Sequence, residues 1–396
     1  MDRPYPILTV SEKGERSLRA GHPWVYDNEI QSGEMPEDGA VADVCSTKGK
    51  WLGVGFYNGH SRIRVRILSR NANDRIDESF WRRKVQWALE YRKQVMGEDY
   101  AACRLIFGEA DGFPGLTVDR FGSVLVSEVL SLGMERCKAP VYGELLRLTG
   151  CTVLYERNDN AIRDKEGLPR TCGFYCGSGD GTVEIVENGL RYAVNYMDGQ
   201  KTGFFLDQKY NRAAAAKLAK GRRVLDCFTH TGAFALNCAA AGAESVTAVD
   251  VSESALESAR HNAGLNGLAD RVQFVQRDVF ELLTELLEHK NRDFDYIILD
   301  PPAFTKSSAT VDKAYRGYKD INYRAMRLLP RGGYLATCSC SHFMTTELFK
   351  KMLREAAADA GVQLRQIEER QQGADHPILW GVGETDYLKF FLFQVV

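Results

Sequence analysis

The 396-residue chain lacks the marks of several protein classes. No stretch approaches 18 consecutive apolar residues, so no membrane-spanning helix is expected. Met1 to Arg16 has no apolar centre, so no secretory signal is expected either. Charge of one sign is not in excess: 51 Lys and Arg stand against 53 Asp and Glu, a net of −2. That excludes a globally basic nucleic-acid coat and leaves room for a local basic face. The ten cysteines, at 45, 103, 137, 151, 172, 176, 227, 238, 338 and 340, show no framework spacing. Their scatter argues against a disulfide scaffold and for a reducing compartment. Cys172 and Cys176 have no second pair at ligand spacing, so no metal is expected. There is no internal repeat. What is present, 44% hydrophobic and 26% charged residues, predicts a soluble, cytoplasmic protein of two or three domains.

Composition shifts along the chain predict three regions. Residues 1–72 read as a β-rich module, with apolar runs at Ile7–Val10, Val41–Cys45, Trp51–Tyr57 and Ile63–Leu68. In the last run, alternation puts Ile63, Val65 and Ile67 toward a core. Arg62, Arg64 and Arg66 would share an exposed face, a candidate stripe for RNA phosphates. Residues 73–195 read as α+β, opening with a helix over Glu78–Met96. Arg82, Arg83 and Lys84 on that helix read as a solvated face, because Glu78 and Glu90 accompany them. Residues 196–396 read as α/β. An Ala-rich helix from a capping Asp207 to Lys220 is expected, followed by alternating strands and helices that imply a parallel sheet. Two final strand-like runs, Gln363–Glu368 and Leu388–Val395, suggest an antiparallel finish.

The chemistry concentrates in this third region. The run Val224 to Phe234 reads as a buried strand, a turn containing Gly232 and the start of a helix. Only one glycine stands where a dinucleotide fingerprint needs three, so a ligand without pyrophosphate is favoured. Asp226, Asp250, Asp278 and Asp300 fall at the ends of four successive strands. Asp250 could accept from a ribose diol and Asp278 from an adenine amino group. One such acid is usually a helix cap; four together point to a ligand at the carboxyl edge of the sheet. Here the chain resembles the S-adenosylmethionine-dependent methyltransferases of the Rossmann-like class. The resemblance implies a seven-stranded sheet with an antiparallel last strand. It also implies Asp226 and Gly232 by the methionine part, Asp250 by the ribose and Asp278 by the adenine.

Asp300-Pro301-Pro302-Ala303-Phe304 follows the fourth strand. The prolines stiffen the turn, and Phe304 could stack on a base. The turn resembles the (Asp/Asn)-Pro-Pro-(aromatic) motif of nucleobase methyltransferases, with Ala303 inserted. The next strand ends in Cys338-Ser339-Cys340-Ser341. Such cysteines are often plain buried hydrophobes. Methylation of C5 of a pyrimidine, however, needs a thiolate that adds to C6, whereas methylation of a base nitrogen needs none. Both reactions therefore stay open: cytosine C5 chemistry with Cys340, or Cys338, as nucleophile, and methylation of a guanine or adenine nitrogen at the Asp-Pro-Pro turn.

Over nearly its whole length the chain is similar to the RlmI-type 23S rRNA 5-methylcytosine methyltransferases. Lys13-Gly14 with Gly21 to Tyr26 matches their PUA opening, Glu109 to Arg120 their central signature, and Gln200 to Gln208 the segment that folds over the cofactor. Asp300 to Phe304 and Ser339 to Ser341 complete the match. The resemblance implies a PUA domain, a central α+β domain and a methyltransferase domain. It favours Cys340 as nucleophile, with Asp300 holding the polar edge of the base. It implies cofactor contacts from Lys201, Thr202, Phe204, Asp226, Phe228, Gly232, Asp250, Ser252, Asp278, Val279 and Asp300. Large-subunit rRNA is the implied partner, and homodimers are compatible with the family. The base that takes the C5 proton is not assigned. His230 and Asp375-His376-Pro377 read as loop and turn residues, or as groups near the site.

Overall fold

The computed structural model describes residues 3–305 and 307–396, which form two compact units. The first comprises Met1–Ile185, Val194–Leu206 and Ala374–Thr385. Its amino-terminal part is a six-stranded sheet built from Ile7–Val10, Trp24–Tyr26, Ile30–Gly33, Val41–Ser46, Trp51–Tyr57 and Ile63–Ser69. Leu8, Val10, Val25, Val44 and Val65 fill its core. A five-stranded sheet follows, with Thr171–Cys176 at one edge and Ala102–Phe107 at the other. The helix Glu78–Met96 starts where expected, because Asp77 accepts the Phe80 N–H at 2.9 Å.

Another helix in this unit, Leu132–Thr149, breaks the sequence pattern with Gly133, Pro140 and Gly143. Tertiary packing explains Gly133: a Cβ there would stand 2.1 Å from the Phe56 ring. The arginine stripe is corrected. Arg66 is buried, not exposed, and is clamped by Glu109 Oε1 at 3.2 Å and Glu166 Oε1 at 2.9 Å, with the Trp24 ring beside it. Arg64 is half-buried and donates to the Asn58 and Gly59 carbonyls. Only Arg62 of the three is exposed. The face carrying Arg66 is covered because the sheet packs against the segments that supply Glu109 and Glu166. Arg82 and Arg83 pair with Glu78 and Asp74 at 2.6 and 2.8 Å.

The second unit comprises Val186–Ala193, Asp207–Gly373 and Asp386–Val396. Its strands are β1 Arg223–Cys227, β2 Ser245–Asp250, β3 Val272–Gln276, β4 Tyr296–Leu299, β5 Tyr334–Ser339, β6 Leu364–Arg370 and β7 Lys389–Val395. Its helices are α1 Lys209–Ala216, α2 Ala233–Ala240, α3 Glu253–Leu265, α4 Val279–Glu288, α5 Val311–Leu328 and α6 Thr346–Ala360. The seven strands form one sheet in the order β3-β2-β1-β4-β5-β7-β6. The first five are parallel, and β7 runs antiparallel to both neighbours.

Residues of β1, β4 and β5 pack with α5 and α6 into one apolar core. Two expectations change. The helix near Asp207 spans only Lys209–Ala216, because Leu206–Gln208 is a 3-10 turn. Asp207 does not cap it; its carboxylate accepts from the Tyr387 hydroxyl at 2.6 Å. Helix α6 was not read from the sequence, although Thr345 caps it through the Leu348 N–H and Gly361 ends it.

Candidate active site

Parallel strands put their carboxyl ends on one edge of a sheet, and that edge of β1, β2, β4 and β5 carries the acids and thiols. Asp226 lies inside β1 and is fully buried. Its Oδ2 accepts from Thr229 Oγ1 at 2.5 Å and from the Ala235 N–H at 3.0 Å. Its Oδ1 is buried and has no hydrogen-bond partner among the described residues. Burial pushes this carboxyl up to about 7, with the Thr229 hydroxyl opposing and the Asp300 charge reinforcing the shift. Gly232 caps α2 at φ 81°, and a Cβ would stand 3.0 Å from Ala259 Cβ. The turn and the fit of α2 against α3 demand this glycine.

Asp250 ends β2 and ties two loops together. Its Oδ2 accepts the His230 N–H at 2.8 Å and its Oδ1 the Ser252 N–H at 3.0 Å. Each oxygen keeps a lone pair. The Ser252 hydroxyl caps α3 through the Ala255 N–H at 3.3 Å and lies 3.0 Å from the Ser254 hydroxyl. Asp278 lies past the end of β3, is exposed, and caps α4 with Oδ1 through the Phe280 and Glu281 N–H groups. That leaves Oδ2 for other partners. The Val279 side chain is packed in the core, so its backbone alone is left for a ligand contact. Phe228, at φ 63°, is half-buried against the same core.

Lys201, Thr202 and Phe204 belong to the first unit. There Thr202 Oγ1 donates to Asp119 Oδ2 at 2.6 Å, Phe204 is buried, and exposed Lys201 lies over the Phe205 ring. Asp375 and His376 also belong there, where Asp375 Oδ2 accepts the Arg104 N–H at 2.9 Å.

Asp300 follows β4 and is half-buried. Burial, with the Asp207 charge, pushes its carboxyl up to about 6. Gln208 Nε2 donates to its Oδ1 at 3.0 Å. The Phe304 ring is engaged with Tyr318 at 4.5 Å and Phe280 at 5.8 Å between ring centres. The ring is half-buried against these neighbours.

The two cysteines differ. Cys338 lies within β5 and is 0% exposed, and burial drives its thiol well above the ordinary value. Cys340 lies one residue beyond the strand, is half-buried, and places Sγ 4.0 Å from the Pro301 carbonyl oxygen. The turn after β4 and the end of β5 therefore meet at Cys340.

The description "S-adenosylmethionine-dependent methyltransferase" fits the family model that matches residues 159–393, and a PUA-like domain model matches residues 8–70. Among curated relatives, the Ribosomal RNA large subunit methyltransferase I of Shewanella denitrificans is 42% identical, covering 96% of this chain and 97% of its own. The protein of the same name from Klebsiella pneumoniae is 39% identical, with 100% of both chains covered. The chain belongs to the ribosomal RNA large subunit methyltransferase I family. It is an S-adenosylmethionine-dependent methyltransferase. Among solved structures, "A putative sam-dependent methyltransferase from Streptococcus mutans" shares the fold, with a TM-score of 0.83 and 22% identity over 98% of this chain and 99% of that one. A methyltransferase structure complexed with SAH superposes with a TM-score of 0.84 at 22% identity, covering the same shares.

In this member of the family, two residues near Asp300 and Cys340 give no clear sign in the sequence. Gln208 sits in a segment already singled out, and nothing in its residue type signals a hydrogen bond to Asp300. Lys389 carries a faint sign. It is the lone charge in an otherwise apolar run, Leu388 to Phe393.

Proposed function

We propose that this chain methylates C5 of a cytosine in 23S, large-subunit rRNA, through a covalent bond between Cys340 and C6. The observation that carries the reading is the half-buried Cys340, whose Sγ approaches the Asp300-Pro301-Pro302 turn, while Cys338 is fully buried in the strand with its thiol against Asp300 and Gln208. The name that the relatives share supports large-subunit rRNA as substrate, and with it a cytoplasmic site. The buried, unpartnered Oδ1 of Asp226 fits an ammonium donor such as the methionine end of the cofactor. Asp250 suits the ribose hydroxyls, and the Oδ2 of Asp278 an adenine amino group. S-adenosylmethionine held there supplies the methyl group and leaves as S-adenosylhomocysteine.

The remaining steps belong to the chain and the base. The Cys340 thiolate adds to C6, breaking the C5=C6 π bond and placing the electron pair on C5. C5 forms its bond to the methyl carbon. Asp300, ionised above pH 6, accepts from the 4-amino group and fixes the ring. Loss of the C5 proton to a base re-forms C5=C6, and the C6–S bond breaks to return the thiolate. Arg62, just before its strand, is the arginine of the three left open to phosphate, and the exposed ring of Phe343 lies on the loop after Cys340.

The test is nucleoside mass spectrometry of unmodified 23S rRNA incubated with the protein and labelled S-adenosylmethionine. Labelled 5-methylcytidine from the wild type and from Cys338→Ala, and none from Cys340→Ala, is expected. Label on a guanine or adenine, or full activity of Cys340→Ala, overturns the covalent mechanism.

A further inference from the structure

Lys389 opens β7, whose residues Lys389 to Phe393 are all buried, and it is itself 3% exposed. A buried ammonium is costly unless an opposite charge or hydrogen bonds compensate it. Its Nζ donates to the carbonyl oxygens of Ser341 at 2.6 Å and Tyr387 at 2.8 Å. Among the described residues no carboxylate forms an ion pair with it. In the antiparallel pairing of β5 and β7, Ser339 stands opposite Lys389. A side chain that starts opposite Ser339 and ends on the Ser341 carbonyl runs past Cys340. Two of its three N–H groups are taken by carbonyls, which leaves one for a further acceptor.

We propose that Lys389 is a positioning residue that holds Cys340 as the thiolate. The inference rests on the reading of Cys340 as nucleophile and deepens it. The Sγ–H bond breaks with its electron pair staying on sulfur, the proton goes to solvent, and Lys389 keeps its three protons as the counter-charge. Electrostatics agree with this geometry. Burial lowers Lys389 to about 8, and the charges that raise it are those of Cys340 first and Asp386 second. The Cys340 charge also acts on Tyr318 on α5 and on Cys338 on β5, neither of them a cation.

A role as a mere staple between Ser341 and Tyr387 makes a different prediction from a thiolate partner. The test measures iodoacetamide alkylation of Cys340 across pH 5–10, read by peptide mass spectrometry, with exposed Cys176 as reference in the same digests. In the wild type the Cys340 midpoint should lie below that of Cys176. Lys389→Met should raise it by about one unit, an about tenfold loss of thiolate at pH 7, and Lys389→Arg should restore it. An unmoved midpoint in a Lys389→Met protein that still binds S-adenosylhomocysteine overturns the inference. If that variant does not fold, a wild-type midpoint at or above that of Cys176 overturns it instead. The readout needs no RNA, so the two readings fail separately. An unmoved midpoint with 5-methylcytidine formed sinks the pairing alone; a moved midpoint with label on another base sinks the C5 reaction alone.

Discussion

Gln208 Nε2 donates to Asp300 Oδ1 at 3.0 Å, and Asn211 Nδ2 donates in turn to Gln208 Oε1 at 2.7 Å. The chain of amides fixes the carboxylate proposed to hold the base. Gln208→Ala should lower kcat about tenfold, the loss of about 1–2 kcal/mol of positioning, with S-adenosylmethionine affinity little changed. Gln208→Glu should lose more, because it adds a charge beside Asp207 and Asp300. Steady-state kinetics and calorimetry on both variants check this; equal losses in kcat and cofactor affinity would argue against it.

Asp226 should make cofactor binding depend on pH. Its folded value of about 7 lies above the ordinary carboxylate value. The folded chain therefore binds more protons than the unfolded chain between about pH 4 and 7. The stability this group contributes is fully present below pH 4 and is lost as pH rises through 7. An ammonium partner needs the ionised form, so S-adenosylmethionine binding should strengthen from pH 6 to 8. Asp226→Asn should bind more weakly and flatten both trends. Calorimetric titration and urea unfolding at several pH values measure them.

Cys338 should matter for stability and little for chemistry. Its thiol is fully buried in β5, at the register position opposite Phe390 of β7. Cys338→Ala should cost about 1–2 kcal/mol in urea unfolding and keep most of the 5-methylcytidine formation. Complete loss of activity in a folded Cys338→Ala protein would move the nucleophile to this residue.

Arg62 and Arg66 should separate RNA binding from folding. Arg62→Ala should weaken rRNA binding and reduce the salt slope by about one, with stability unchanged. Arg66→Ala strands Glu109 and Glu166 around a buried gap and should cost about 3–5 kcal/mol. Salt-dependent binding and thermal melts on the pair distinguish the two effects. A stable Arg66→Ala with weakened binding would restore the stripe.

Much of the parallel sheet and its acids was legible because short-range rules govern them. Strand–turn–helix alternation, an acid at each strand end and the proline turn are local patterns, and β1 to β5 lie where those patterns placed them. Helix Leu132–Thr149 was hidden because its glycines and proline contradict helix propensity, and packing against Phe56 outweighs that contradiction.

The sequence by itself determined the fold class, the family and the residue types of the site. Only the tertiary structure decided which of those residues are available. It gave Phe304 to Tyr318 and Arg66 to two glutamates. It also separated Cys338 from Cys340, two residues apart in sequence, by ending a strand between them. Burial and hydrogen-bond partnership depend on segments tens to hundreds of residues away. No local pattern encodes them, and they set which carboxylates and thiols have lone pairs left for chemistry.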